Sequence, residues 1–276
     1  MINIKAFITT LLLSFSTSVV YAESDMPHHA IPGGIVSVPL VHSGNTAPKV
    51  EFQGKPAMTV QNKQGEWIAV VGVPLKQKGS VEIAVNNKKI SLPIIDFPYE
   101  EQHIEIKEKR KVNPQKNDMT RIGNEYNQMM PVYKSFSHDL APDWNAMLKP
   151  TEGPYSSAFG LKRFFNGQAR KPHSGIDIAA PEGAPIKAPA DGTIALTGDF
   201  FFNGNSVFID HGQGLISMMC HMSRIDVKEG DVIKQGDLIG AVGKTGRATG
   251  PHLHWTVSLN NARVNPKLLL KDDQPK

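Results

Sequence analysis

His252-Leu253-His254-Trp255-Thr256-Val257 is the stretch on which the reading of this chain turns. Side chains of a strand alternate between its faces, so both imidazoles project to one side, while Leu253, Trp255 and Val257 project to the other and meet a core. Two neighbouring imidazoles on one face are costly to keep unless a metal or a substrate organises them. Upstream, His173-Ser174-Gly175-Ile176-Asp177 supplies a second pair. In an extended segment His173 and Asp177 share a face, and Gly175 between them leaves room for close approach. With one histidine of the closing strand they form a His/Asp/His set. Two nitrogens and one oxygen, with a fourth position open to water, suit catalytic rather than structural zinc, which brings the ionisation of a coordinated water to near pH ~7. His221 ends a strand expected over 215–221 and shares its face with Ser217 and Met219, whereas Cys220 points the other way and is no ligand. His221 and the spare histidine of the closing pair would then relay the water proton and donate to the oxyanion.

Composition narrows the alternatives. The chain has 276 residues, 40% hydrophobic and 20% charged, which suits two ordinary cores and excludes a polytopic membrane protein or a wholly disordered one. One cysteine against ten histidines excludes an internal disulfide framework and every Cys-rich metal site. His28, His29, His42, His103 and His138 read as bystanders, and His211, at a turn after a strand, as structural. The net charge of +4 is thinly spread, and the densest basic run, Lys107-Glu108-Lys109-Arg110-Lys111, is broken by glutamate. No nucleic-acid partner is expected.

Along the chain, residues 1–22 read as a signal peptide: Lys5 provides the positive start, 7–20 the apolar stretch, and Ala22 the small residue before cleavage. That stretch is shorter than the ~20 residues needed to span a bilayer, so no stable membrane insertion is expected after cleavage. Residues 23–100 are strand-rich, punctuated by Gly33-Gly34, Lys63-Gln64-Gly65 and Asn86-Asn87, and predict a small all-β domain that binds, positions or covers. Residues 101–150 form a charged helical connector, in which Asp118 caps a helix with Ile122, Tyr126 and Met129 on one face, ended by Pro131. Residues 151–270 return to short strands, with a hairpin at Asn203-Gly204 and strands over 206–210, 215–221, 227–233, 238–242 and 252–259. Residues 271–276 are a polar, frayed tail. The expected fold is mainly β: an antiparallel β-sheet domain behind a small all-β domain and a helical connector.

At the level of motifs the last 120 or so residues resemble the lysostaphin/LytM-type zinc metallopeptidases that cut peptidoglycan cross-bridges. The resemblance rests on Ser157-Ala158-Phe159-Gly160, Arg163, Phe165-Asn166-Gly167, the run from Lys171 through His173-Ser174-Gly175-Ile176-Asp177 to Pro181, Asp210-His211-Gly212, His221-Met222-Ser223 and Gly250-Pro251-His252-Leu253-His254. It implies one Zn2+ per chain held by His173, Asp177 and His254, with His252 and His221 as the two catalytic histidines that are not ligands. It also implies substrate contacts from Arg163 and Asn166. All five central positions are filled, unlike degenerate members that activate other hydrolases. Met219 departs from the pattern, which often has tyrosine two residues before the catalytic histidine. The first domain, through Pro32-Gly33-Gly34-Ile35-Val36 and the run from Gly65 to Leu75, resembles the N-terminal module of Gram-negative members. That implies a periplasmic murein endopeptidase acting on direct meso-diaminopimelate cross-links.

Two other readings stand beside this one. Asp191-Gly192-Thr193-Ile194 followed by 229–240 also resembles a biotinyl or lipoyl carrier, but 195–228 holds only Lys228 and no Met-Lys-Met. The same fold could serve as a non-catalytic peptidoglycan-binding regulator of other wall hydrolases. Inhibition of the site by the N-terminal domain stays open: His28 or His29 could reach the metal and hold a latent form, against the plainer reading of a loose tail.

Overall fold

The computed structural model describes residues 30–42, 44–138 and 142–271, so the signal-peptide reading, His28, His29 and nearly all of the polar tail lie outside the described residues. The first lobe is a pair of small sheets. One has the order β1-β5-β4, from β1 (Ile35–Pro39), β4 (Met58–Gln61) and β5 (Trp67–Gly72), and the other the order β3-β2-β6-β7, from β2 (Val50–Phe52), β3 (Lys55–Pro56), β6 (Ser80–Val85) and β7 (Lys88–Pro93). Val36, Val38, Ala69 and Val71 face the second sheet and close a core with Val50, Phe52, Val81 and Ile83. Their alternates Ile35, Met58 and Val70 join the large core of the following lobe. Burial on both faces is why 67–71 reads as an unbroken apolar run instead of alternating. The seam between the lobes is also hydrogen-bonded: Asn265 N–H donates to Gly33 O (2.9 Å) and Thr59 N–H to Gln213 Oε1 (2.9 Å).

The connector is more than a spacer. Its strand β8 (Glu101–Ile104) pairs in parallel with β10 (Lys162–Phe165), which follows β9 (Tyr155–Ser157) and precedes β11 (Gln168–Ala169). Between lie the short helix α1 (Lys109–Val112) and the long helix α2 (Lys116–Tyr133). Three expectations for α2 change. Gln115 is the cap, and Asp118 sits at the third helical position, closing a reciprocal capping box. Pro131 lies inside the helix, which runs two residues further because a proline in the last turn forfeits only one ladder bond. Tyr126 is exposed, and the face that docks carries Asp118, Glu125 and Tyr133. One polar and one aromatic contact set this face: both Glu125 oxygens accept from Phe201 N–H (3.0 and 2.9 Å), and the Tyr133 ring meets Phe208 edge-on with Met129 packed beside the cluster.

The second lobe is one large, mainly antiparallel sheet. Its path β17-β14-β15-β16-β19-β12-β9 uses β12 (Ile176–Ala179), β14 (Gly192–Phe200), β15 (Gly204–Asp210), β16 (Leu215–Ile225), β17 (Val232–Ile233) and β19 (His252–Leu259). β13 (Pro185–Lys187) and β18 (Leu238–Val242) pair beside β16, and β20 (Ala262–Val264) pairs with β19. The strand expected over 227–233 shrinks to β17, because Lys228 N–H bonds Asp231 Oδ2 (2.9 Å) and turns the chain. Leu253, Trp255 and Val257 face the core with Met219, Ile176 and Ile178, as the period of two requires. The opposite face carries Ile216, Met218 and Cys220, covered by Tyr133 of α2.

Candidate metal centre

Register brings the donors together. In β12 against β19, Asp177 lies opposite His254 and Ala179 opposite His252, so the carboxylate and both imidazoles share the face away from the Trp255 core. His173 precedes β12, and the chain reaches it through Gly175, whose backbone is pressed against β19. A Cβ there would stand 2.4 Å from Trp255 O and 2.9 Å from His254 Cε1. Glycine is therefore required for packing at this point.

His173 Nε2 lies 3.0 Å from His254 Nδ1 and 3.1 Å from Asp177 Oδ1, and His254 Nδ1 lies 2.7 Å from the same oxygen. The outer nitrogens have partners of their own, and the carbonyl at His173 fixes its tautomer. His173 Nδ1–H donates to Ala158 O (2.7 Å), and His254 Nε2 pairs with Thr256 Oγ1 (2.9 Å). Neutral rings held this way aim two nitrogen lone pairs and a carboxylate oxygen at one point, an arrangement of acceptors that a cation satisfies. The spacings approach the ~3.3 Å edge of a tetrahedron with bonds of ~2.0 Å. Among the described residues, His173, Asp177 and His254 form the group that could hold a metal ion. Burial holds the His173 imidazole down at about 4. Burial alone would raise the Asp177 carboxyl, but its contacts with His173 and His254 outweigh burial and hold it below the usual carboxylate range.

His221 reaches the site by a device with no sequence marker. Strict alternation puts residue 221 with Met219 against the core. A register shift between β15 and β16 and a φ of 62° at His221 instead turn its ring toward His252, 4.8 Å away centre to centre, and His254, 6.1 Å away. The expectation that His221 shares the face of Ser217 and Met219 is corrected accordingly. Cys220 points away from Met219, as expected: it lies opposite His254 and on its face, but it is buried in the cluster under Tyr133, where burial pushes its thiol up to about 12. His221 Nδ1–H donates to Thr245 O (2.8 Å) and His252 Nδ1–H to Gly250 O (2.8 Å), leaving each Nε2 as an acceptor. Burial lowers His221 to about 3, so its resting state is neutral.

The remaining assigned residues are engaged internally. Arg163 Nη2 donates to Asp177 Oδ2 (2.9 Å), and Gln102 Oε1 accepts from Arg163 Nε (3.1 Å), so a residue of β8 props the arginine that orients the carboxylate. Asn166, at φ 49°, bonds Ile106 N–H and O with its side chain (2.7 and 3.0 Å) and ties the connector to the β10–β11 turn. His211 is buried between Asp191 O (2.7 Å) and Ser217 Oγ (2.8 Å), and His103 stacks on Phe164. Sequence reasoning passed over Thr256, Gln102 and Thr245. Thr256 was within reach of it, since it follows His254 by two in a strand; the other two act through backbone or across lobes.

A model of peptidase family M23 matches residues 171–266, and a model of the peptidase family M23 N-terminal domain matches 28–97. The crystal structure of a Pseudomonas aeruginosa chain assigned to peptidase M23 is 41% identical, with a TM-score of 0.75 over 89% of this chain and 96% of that one. The chain is also similar to the DD-carboxypeptidase/endopeptidase Mpg of Neisseria meningitidis, 43% identical over 111 residues, 40% of this chain and 26% of the relative. The peptidoglycan DD-endopeptidase ShyC of Vibrio cholerae is 44% identical over 114 residues, 41% of this chain and 26% of the relative. The matched stretch thus spans about a quarter of these curated relatives.

Proposed function

The chain belongs to peptidase family M23, and we propose that it is a zinc-dependent murein endopeptidase that hydrolyses D-Ala–meso-diaminopimelate cross-links of peptidoglycan during cell-wall remodelling. The observation that carries this is the convergence of His173 Nε2, Asp177 Oδ1 and His254 Nδ1 with their lone pairs inward, beside two histidines that present free Nε2 atoms. The endopeptidase names of the relatives support the substrate class. One Zn2+ per chain, held by the three donors, would supply Lewis acidity toward the scissile carbonyl and acidify the attacking water.

In this reading His252 Nε2 accepts the water proton and later returns it to the leaving amine. His221 stabilises the oxyanion. With Nδ1–H committed to Thr245 O, its Nε2 can donate only when the ring is protonated, so it acts as an imidazolium that takes a second proton from solvent as the negative oxygen develops and returns it when the tetrahedral species collapses. Arg163 and Gln102 hold Asp177 in place, and substrate contact by Arg163 or Asn166 is secondary to these bonds.

We place the mature chain, from about residue 23, in the periplasm, divided into a β lobe to about 100, a connector to about 150 and the peptidase lobe beyond. Among the described residues no helix is long and apolar enough to cross a membrane. Restraint of the site by the preceding segments is part of the proposal. Its support is α1, whose Lys111 O accepts from Arg247 (3.4 Å) and whose Val112 O accepts from Arg170 (3.0 Å), with Val112 buried.

The test is His254→Ala. It abolishes both the one-to-one zinc content and muropeptide cleavage, and cleavage retained by metal-free protein would overturn the reading. Zinc binding without cleavage by the unaltered chain would favour the non-catalytic regulator.

A further inference from the structure

Arg247, on the loop between β18 and β19, is a cation without a counter-ion among the described residues. Its guanidinium lies between two rings, 4.7 Å from the centre of Phe165 and 4.4 Å from that of Phe202. Its backbone N–H is tied to Phe202 O (2.8 Å), so the loop that carries it is fixed to the β14–β15 turn. Among the described residues it has no carboxylate partner, and its side chain makes one long hydrogen bond, to Lys111 O at 3.4 Å. Burial, reinforced by Arg163 and Arg170, pulls the guanidinium down to about 10. Arg163 is neutralised by Asp177. Arg170 meets only neutral acceptors: Ala169 O, Val112 O, Asn113 Oδ1 and Gln168 Oε1.

A half-buried cation left unpaired is unfavourable unless something else supplies the charge, and the planar fork of arginine matches a carboxylate in two parallel hydrogen bonds. The position is close to the chemistry. Arg247 is two residues after Thr245, whose carbonyl orients His221, and the Phe165 ring beside it stands two residues after Arg163, which binds Asp177. We propose that Arg247, clamped by Phe165 and Phe202 and seconded by Arg170, is a carboxylate-binding subsite that takes a free carboxylate of the peptide stem beside the scissile bond, displacing Lys111 O. This rests on the peptidoglycan reading above and specifies which form of the stem the groove prefers.

The test measures binding separately from cleavage. Calorimetry on the full chain compares the tripeptide stem L-Ala-γ-D-Glu-meso-diaminopimelate as the free acid with the same tripeptide fully amidated; neither contains the scissile bond. The free acid binds about 10-fold more tightly, the scale of one charge-assisted hydrogen-bond pair. Arg247→Gln brings the two within about 2-fold, and Arg247→Lys keeps part of the difference. Equal or undetectable binding of both probes by the unaltered chain would overturn the subsite. So would a folded Arg247→Gln or Arg247→Lys chain whose preference for the acid matches or exceeds that of the unaltered one. Cleavage of cross-linked dimers is scored independently: a chain that cuts none but shows the preference, and loses it in Arg247→Gln, refutes the endopeptidase reading and leaves the subsite standing.

Discussion

His211→Gln should remove a specific part of the acid sensitivity of this fold. The His211 ring is 1% exposed, with Nδ1 on Asp191 O and Nε2 on Ser217 Oγ, and burial holds it at about 4 against an unfolded value of 6.5. The folded value is the lower one, so the unfolded chain binds the extra proton. Stability is therefore present above the unfolded value and lost as pH falls from about 6.5 toward about 4. Between pH 7 and pH 5 that difference amounts to about 2 kcal/mol for this one residue. Glutamine cannot titrate. At pH 7 the variant loses about 2 kcal/mol from imperfectly remade hydrogen bonds, but its stability falls about 2 kcal/mol less than that of the unaltered chain on going to pH 5. The assay is urea unfolding followed by tryptophan fluorescence at both pH values, with chelator present so that metal does not mask the effect. His173 and His221 carry the same sign of shift and cancel between the two chains. Equal losses in both chains would refute the reasoning.

Two further outcomes bear on the site and its cover. Gly175→Ala forces a Cβ against Trp255 O and His254 Cε1, moves His173 off its partners and lowers zinc affinity about 10–100-fold by chelator competition; unchanged affinity would contradict the packing account. Val112→Ser loosens the docking of α1 by about 2 kcal/mol of lost burial and raises kcat/KM on muropeptides up to about 10-fold; a folded variant no faster than the unaltered chain would remove the restraint.

Much of the site could be read along the chain because strand periodicity carries it. His252 and His254 share a face, Asp177 meets His254 across β12 and β19, and the opposite residues form the core. The unbroken apolar run of β5 likewise reflects a sheet buried on both sides. What could not be read depends on register or on distant backbone. A non-glycine residue at positive φ turns His221 into the groove, and nothing in its neighbours marks it. Gln102 supports Asp177, through Arg163, only because β8 pairs with β10 some 60 residues on, a match of two four-residue strands, Glu101-Gln102-His103-Ile104 and Lys162-Arg163-Phe164-Phe165, without period-two alternation. Of the face that apolar periodicity selected on α2, Met129 packs on the cluster under the helix while Tyr126 is exposed, because the buried contacts are made by Glu125 and Tyr133.

Mass analysis of the products from defined dimeric muropeptides joined by D-Ala–meso-diaminopimelate bonds tests the central claim most directly, run with zinc-loaded, chelated and His254→Ala protein. The account predicts two monomers whose summed mass is that of the dimer plus one water, released by the zinc-loaded chain alone. Intact dimers with folded, zinc-loaded protein, or undiminished cleavage after chelation, would contradict it.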